Sequence, residues 1–88
     1  MTAIYKYRLR LPRDRVCHNI DPDGTVVHVG FDPTDQPCIW LAVDPDAPRQ
    51  ERSFVIIGTG HTIPDGGQPI GSFVDKPFVW HVVEVPAK

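Results

Sequence analysis

The sequence predicts an all-β fold, a small antiparallel β-sandwich or partly open barrel of six to seven strands with little or no helix. Ten prolines and seven glycines among 88 residues leave almost no uninterrupted stretch for a long helix. Apolar residues occur in short alternating or continuous runs, and turn signals recur about every ten residues, a spacing typical of sandwiches and barrels. We therefore expect one β domain over residues 1–88.

The first strands are predicted from alternation. Residues 3–11 place Tyr5, Tyr7, Leu9 and Leu11 on one face and basic side chains on the other, which indicates one buried and one solvated face. The second and third predicted strands cover 14–19 and 25–31. In the third, the alternation predicts that Val27, Val29 and Phe31 share a face.

The later strands are more apolar. The run CIWLAV within the predicted strand 37–43 is apolar at every position, which predicts burial on both faces or closure of a barrel. Predicted strands 51–58 and 77–85 are rich in β-branched and aromatic residues, so we expect them near the middle of a sheet. Strand 69–74 precedes a tight hairpin at Asp75-Lys76.

Aspartate-proline pairs separate several of these strands. Asp21-Pro22, Asp32-Pro33 and Asp44-Pro45 each combine a side chain that caps its own turn with a residue of restricted φ. A single helical turn around 45–51 is also compatible with the sequence.

Composition limits the classes of function. An apolar fraction of 41% and a charged fraction of 23% are those of a folded globular chain. A net charge of −2 disfavours nucleic-acid binding, which depends on many basic contacts to phosphate. No apolar run reaches the length of a membrane span and the N-terminus lacks a signal-peptide core, so we expect a cytosolic protein. Cys17 and Cys38 are accordingly expected to be free thiols.

The segment GTGHTIPDGGQPIG at 58–71 is the most prominent candidate site. Gly58-Thr59-Gly60-His61 suggests a phosphate-binding loop, but it lacks the lysine and following helix that such loops use. We favour the alternative, a glycine corner at which the strand leaves the sheet. Residues 62–68 read as two consecutive turns, and long loops on β-scaffolds often carry binding residues.

Other chemistry is weakly supported. No cofactor is predicted, and the spacing of the histidines and cysteines does not match a zinc site. No catalytic residues are assigned, because neither cysteine lies in a pattern that marks an activated thiol, and no serine lies in a nucleophile elbow. Trp40 and Trp80 are interpreted as core residues, with an exposed binding face as the alternative.

The segments IYKY at 4–7, CIWLAVDP at 38–45, GTGHTIP at 58–64, IGSF at 70–73 and WHVVEV at 80–85 together resemble a family of small uncharacterised proteins found mainly in bacteriophage and prophage genomes. The resemblance implies an accessory phage protein acting in the host cytoplasm, and it transfers no catalytic residue. The tentative ligand-binding residues are Gly58, Thr59, Gly60, His61, Trp80 and His81.

Three functional hypotheses remain open. The leading one is a non-enzymatic binding module that engages a host protein or sequesters a small ligand. The first alternative is a virion or assembly protein that works as a homo-oligomer through an exposed strand edge. The second is a small enzyme that uses Cys17, Cys38 or His61.

Overall fold

The computed structural model describes residues 1–11 and 14–86, and its secondary structure consists of seven strands. The strands are β1 (Ala3–Arg8), β2 (Val16–Ile20), β3 (Thr25–Phe31), β4 (Pro37–Val43), β5 (Gln50–Gly58), β6 (Gln68–Asp75) and β7 (Phe78–Val85). The predicted third and fourth strands have the predicted bounds, and four of the others differ by one or two residues at one or both ends. The first strand ends at Arg8 rather than at residue 11, although the Leu9 amide still donates to the Pro37 carbonyl.

The strands form two antiparallel sheets that pack face to face. Sheet A has the order β1-β4-β3 and sheet B the order β2-β5-β7-β6. The structure is therefore a β-sandwich, the first of the two predicted architectures. β5 and β7 are the two central strands of sheet B, which confirms their predicted position.

The core lies between the sheets and consists of side chains from alternate positions of the strands. Its fully buried members include Ile39 and Leu41 of β4, Phe54 and Ile56 of β5, and Val82 of β7. Tyr7 and Leu9 of the first segment also face this core, as predicted. In β1, β4, β5 and β7 the alternation of the pleat thus places these residues on the inward face.

The two sheets approach closely at both lateral edges of the sandwich. A Cβ at Gly71 of β6 would lie 2.7 Å from Cγ2 of Val29 on β3, so glycine permits this contact between sheets. At the opposite edge the Nε2 of His18 donates a 2.7 Å hydrogen bond to the Arg8 carbonyl. The His18 ring also lies against the ring of Tyr7, with their centroids 5.4 Å apart.

Two predictions about side-chain faces are wrong. The register of β3 against β4 shifts between Val26 and His28, so Val26 packs against the core while Val27 is 53% exposed. The bulge adds one residue and reverses the alternation at that point.

Burial of both faces of β4 is observed only in part, because Cys38 on its outer face is buried whereas Trp40 is not. Its outer face carries Trp40, which lies beside His28 with ring centroids 5.2 Å apart and pairs in register with Lys6. Trp40 is half-buried by these neighbours and does not belong to the core cluster. The core interpretation of Trp40 is therefore wrong, because the strand has a packed sheet on one side only.

All three aspartate turns are confirmed. Asp21 accepts the amides of Asp23 and Asp44, at 2.9 Å each. Asp32 accepts the amides of Thr34 and Gln36 together with the Thr34 hydroxyl. Asp44 in the same way accepts the amide of Asp46 at 3.0 Å. The segment after Asp44 forms a turn closed by the Ala47 amide rather than a helix.

A partly buried ion pair stabilises one end of the sandwich. Arg52 of β5 donates to both carboxylate oxygens of Glu84 on β7, at 2.8 Å each. Its remaining nitrogen donates to the carbonyls of Asp21 and Gly24 at 3.1 and 2.9 Å. One guanidinium thus joins the two central strands of sheet B to the β2–β3 turn.

No helix among residues 1–11 and 14–86 is long and apolar enough to cross a membrane.

Candidate functional site

The long connection between β5 and β6 has a topological cause. Both strands run antiparallel to β7, which lies between them, so they are parallel to each other. A connection between parallel strands must return along the length of the sheet. Residues 59–67 therefore cross the outer face of sheet B, the face opposite the core.

The beginning of this crossover is a glycine corner, as favoured from the sequence. Gly60 has a φ of 90°, and the amide of His61 donates a 3.1 Å hydrogen bond to the Gly58 carbonyl. A Cβ at Gly60 would meet no atom within 4 Å. Glycine is thus needed there for its backbone conformation and not for close approach. Residues 59–67 include no helix whose N-terminus could bind a phosphate.

The end of the crossover lies directly on the sheet. The Gly67 amide donates to the Pro64 carbonyl at 2.8 Å, which closes a turn before β6. A Cβ at Gly67 would lie 2.7 Å from Cγ1 of Val83 and 3.0 Å from Cγ2 of Ile63. The loop backbone is therefore packed against β7.

A second, smaller apolar cluster lies under this loop. It consists of Val55 and Ile57 of β5 with Val83 and Val85 of β7, all at most 9% exposed. These residues alternate with the core residues of the same strands. The crossover thus explains why the central strands are apolar on both faces.

Two depressions flank the crossover on the outer face. The larger, of about 430 Å³, is lined by Val55, Ile57, Gly60, His61, Thr62 and Pro64. The smaller, of about 200 Å³, is lined by Ile57, Gly58, Thr59, Gly60, His61, Ile63, Pro69, His81 and Val83. Ile57, Gly60 and His61 line both depressions, so the two adjoin each other.

A chain of hydrogen bonds crosses the floor beside the smaller depression. The Thr59 hydroxyl donates to the Val79 carbonyl at 3.2 Å and lies 2.8 Å from Nε2 of His81. Because that hydroxyl gives its one proton to Val79, it accepts from Nε2–H of His81. The Ser72 hydroxyl lies 2.7 Å from Nδ1 of the same ring. His81 thereby ties the loop to β7 and β6.

Five of the six predicted site residues line one depression. Gly58, Thr59, Gly60, His61 and His81 all line the smaller one.

Trp80 does not join them, because the pleat of β7 turns it to the opposite face, where it packs against the core and lies beside Phe78. Its Nε1 is buried and meets no hydrogen-bond acceptor among the residues that the structure describes. The core interpretation of Trp80 fits this position.

The sequence analysis missed the apolar part of the site. Ile57 and Val83 form its floor, and Ile63 and Pro69 form part of its wall. Ser72, which is not among the predicted site residues, is a partner of His81. The alternation of β5 and β7 could have revealed the floor, because their second apolar face requires a cover.

The cysteines lie apart from the site. Cys17 is exposed, with its Sγ 3.0 Å from the Ser53 hydroxyl, and Cys38 is buried in the other sheet. Both are free thiols, as expected. Burial raises the pKa of Cys38, which disfavours the reactive thiolate. Within 1–11 and 14–86 no three histidine, cysteine or acidic side chains are grouped to hold a metal ion.

Comparison with known families matches residues 1–88 to a domain of unknown function, DUF7352. No curated protein and no solved structure matches the chain. The chemistry of the site must therefore be argued from its own residues.

Proposed function

The chain belongs to the DUF7352 family, and we propose that it is a non-enzymatic binding module that holds apolar side chains of a protein partner on the outer face of sheet B. The observation that carries the proposal is the pair of adjoining depressions that share His61 in their lining. Their floor is aliphatic, and two polar side chains of the smaller one, Thr59 and His81, are held by a hydrogen bond to each other.

The size and shape of the depressions favour a protein over a small ligand. The smaller one, at about 200 Å³, lies below the range of roughly 300–1,000 Å³ typical of small-molecule pockets. The larger one has the crossover on one flank, and the described residues that line it all belong to 55–64. A small ligand in either would stay largely exposed, whereas side chains projecting from a partner surface would be covered by that surface.

We propose further that the partner is a host protein and that binding occurs in the cytoplasm of an infected cell. This part of the proposal rests on the resemblance of the sequence to phage-encoded proteins. A small ligand remains the alternative occupant, and a thermal-shift screen of metabolites would identify one by a concentration-dependent rise in Tm.

A matched pair of variants tests the site. Ile63→Asp puts a carboxylate in the wall of the smaller depression, where Ile63 is 43% exposed. Ile4→Asp makes the same change on sheet A, where Ile4 is 61% exposed. Because both side chains are already solvated, both variants should fold.

The experiment is photo-crosslinking in host lysate from position 62, with position 2 as the control. We expect one adduct from position 62 that persists in Ile4→Asp and disappears in Ile63→Asp. Equal adducts from both positions, or an adduct unaffected by Ile63→Asp, would show that the depressions do not bind the partner.

A homo-oligomer is a second candidate, favoured by the tip of the β6–β7 hairpin. Val74, Phe78 and Val79 are 57%, 58% and 41% exposed there. Exposed apolar residues on one hairpin are a common feature of interaction surfaces. Light scattering decides this candidate: a monomer up to about millimolar concentration would exclude it, since specific dimers associate well below that.

A further inference from the structure

One strand of sheet B has a neighbour along only part of its length. β2 pairs with residues 50–54 of β5, and β7 pairs with residues 53–58. Among the residues that the structure describes, no strand pairs with residues 55–58 of β5 on the side away from β7. The sheet is one strand narrower there.

The open part of β5 offers backbone hydrogen-bonding groups. Along a strand, successive residues direct their N–H and C=O groups to alternate sides. Every second residue of 55–58 therefore presents an amide and a carbonyl to the open side. Four residues in a strand extend about 13 Å, which matches a partner segment of four or five residues.

The described contacts of the preceding chain explain why β2 does not extend further. Leu9 is bonded to Pro37 in sheet A, so the chain enters β2 from the other sheet. Arg15, just before β2, donates from Nη1 to the Pro86 carbonyl at 3.1 Å. Its side chain is thus held at the end of β7 and is not directed along the open edge of β5.

The larger depression lies beside this open edge. Val55 and Ile57 belong to both, and His61, Thr62 and Pro64 form the opposite wall. None of the described residues that line it is aspartate, glutamate, lysine or arginine. Charge matching therefore selects an uncharged segment, since a charged side chain would lose water there without gaining an ionic partner.

We propose that an extended segment of a protein partner adds to β5 as an antiparallel strand beside residues 55–58, with uncharged aliphatic side chains at alternate positions. The backbone pairing supplies the direction of the segment, and the depression receives the side chains on the outer face. This inference rests on the proposed function and specifies how the partner is held.

A short segment fits better than a second copy of the chain. Stable dimers bury about 1,200–2,000 Å², and an edge of four residues with one adjoining depression offers only a part of that area. The segment would bind weakly and reversibly, as short strands added to sheet edges do.

The test uses the intact chain and a soluble heptapeptide in which threonine and valine alternate between two terminal lysines. Amide hydrogen exchange followed by NMR first examines the free protein. Alternate amides within 55–58 should exchange at least about tenfold faster than those of residues paired on both sides. Peptide addition should slow these amides and shift the resonances of Val55, Ile57 and His61.

Two controls separate strand addition from simple apolar contact. A peptide N-methylated at alternate residues keeps the side chains and loses the backbone donors, so it should bind at least about tenfold more weakly. Thr62→Asp places a charge in the wall of the depression and should weaken binding, whereas Thr2→Asp, at an exposed site elsewhere, should not.

Several outcomes would overturn the inference. They are slow exchange of all four amides in the free monomer, equal affinity of the N-methylated peptide, shifts confined to β3 or β6, and no binding at about 1 mM peptide. Protection of 55–58 that appears only with a doubled mass would identify a second copy as the occupant. If the crosslinked partner depends on Ile63 but leaves 55–58 unprotected, strand addition fails and the binding function stands.

Discussion

Replacement of Arg52 by alanine should destabilise the fold more than any other single loss of a charged side chain described above. The guanidinium makes four hydrogen bonds, two to Glu84 and two to the carbonyls of Asp21 and Gly24. Its side chain is 13% exposed and that of Glu84 is 26% exposed. The substitution would leave a poorly solvated carboxylate without its cation and two carbonyls without their donor.

The magnitude follows from this geometry. Removal of one partner of a buried ion pair costs about 3–5 kcal/mol of stability. Because Glu84 keeps some exposure to solvent, the expected loss in the free energy of unfolding is about 3 kcal/mol. For a domain of this size, that corresponds to a fall in Tm of roughly 12–24 °C. Arg52→Lys should recover only part of it, because an ammonium cannot make the bidentate contact.

The assay is urea unfolding at pH 7 followed by tryptophan fluorescence, with the free energy of unfolding obtained by linear extrapolation. Arg8→Ala is the matched control, since the Arg8 side chain makes one exposed hydrogen bond, to Gln36, and its loss should change stability by less than about 0.5 kcal/mol. A loss below about 1 kcal/mol for Arg52→Ala, or full stability of Arg52→Lys, would refute the reasoning.

Three further predictions concern acid stability, loop packing and thiol reactivity. The Lys6 ammonium and hydrogen bonds from residues 34 and 36 hold the pKa of Asp32 below its ordinary 3.8. The folded state therefore binds fewer protons than the unfolded state, and the stability that this carboxylate contributes above about pH 4 is lost on acidification. Between pH 7 and pH 2 the Tm of Asp32→Asn should fall less steeply than that of the unaltered protein. Parallel plots of Tm against pH for the two proteins would contradict this. Gly67→Ala should lower stability by about 1–3 kcal/mol because its Cβ would collide with the sheet. Gly60→Ala should lower it by about 1–2 kcal/mol through backbone strain alone. A crystal structure of Gly60→Ala should show the loop in its original position, and a displaced loop would contradict this difference between the two glycines. Cys17 should react with a thiol reagent at least about tenfold faster than Cys38, because Cys38 is buried and burial raises its pKa; equal rates under native conditions would count against the burial.

Much of the fold follows from local patterns in the sequence. Strand bounds follow from proline, glycine and β-branched residues, because these residues act on the backbone within a few positions. The aspartate turns at Asp21, Asp32 and Asp44 were predicted with their mechanism, since each carboxylate bonds an amide two residues away. The faces of β1 were also predicted correctly from alternation.

The candidate site was only partly predictable. The glycine corner and the group around His61 and His81 were identified, because glycine and histidine can be recognised as candidate turn and site residues from the sequence alone. The aliphatic floor was not identified, since Ile57 and Val83 look like any other core residues until the crossover is seen above them. Trp80 was grouped with the site because it shares the WHVVEV motif of the resemblance with His81, although the pleat places adjacent residues on opposite faces of a strand.

By itself the sequence determined that this chain forms short antiparallel strands with capped turns and two apolar faces on its central strands. Only the tertiary structure decided which sheet each strand enters, that Trp40 faces outward, that Arg52 reaches Glu84, and that residues 59–67 cross the sheet. The physical reason is the distance along the chain over which each interaction acts. Turn and strand preferences arise between neighbours in sequence, whereas the order of strands depends on pairing between residues far apart in the chain. That order makes β5 and β6 parallel, forces the long loop over the outer face and leaves residues 55–58 of β5 with a strand on one side among the described residues.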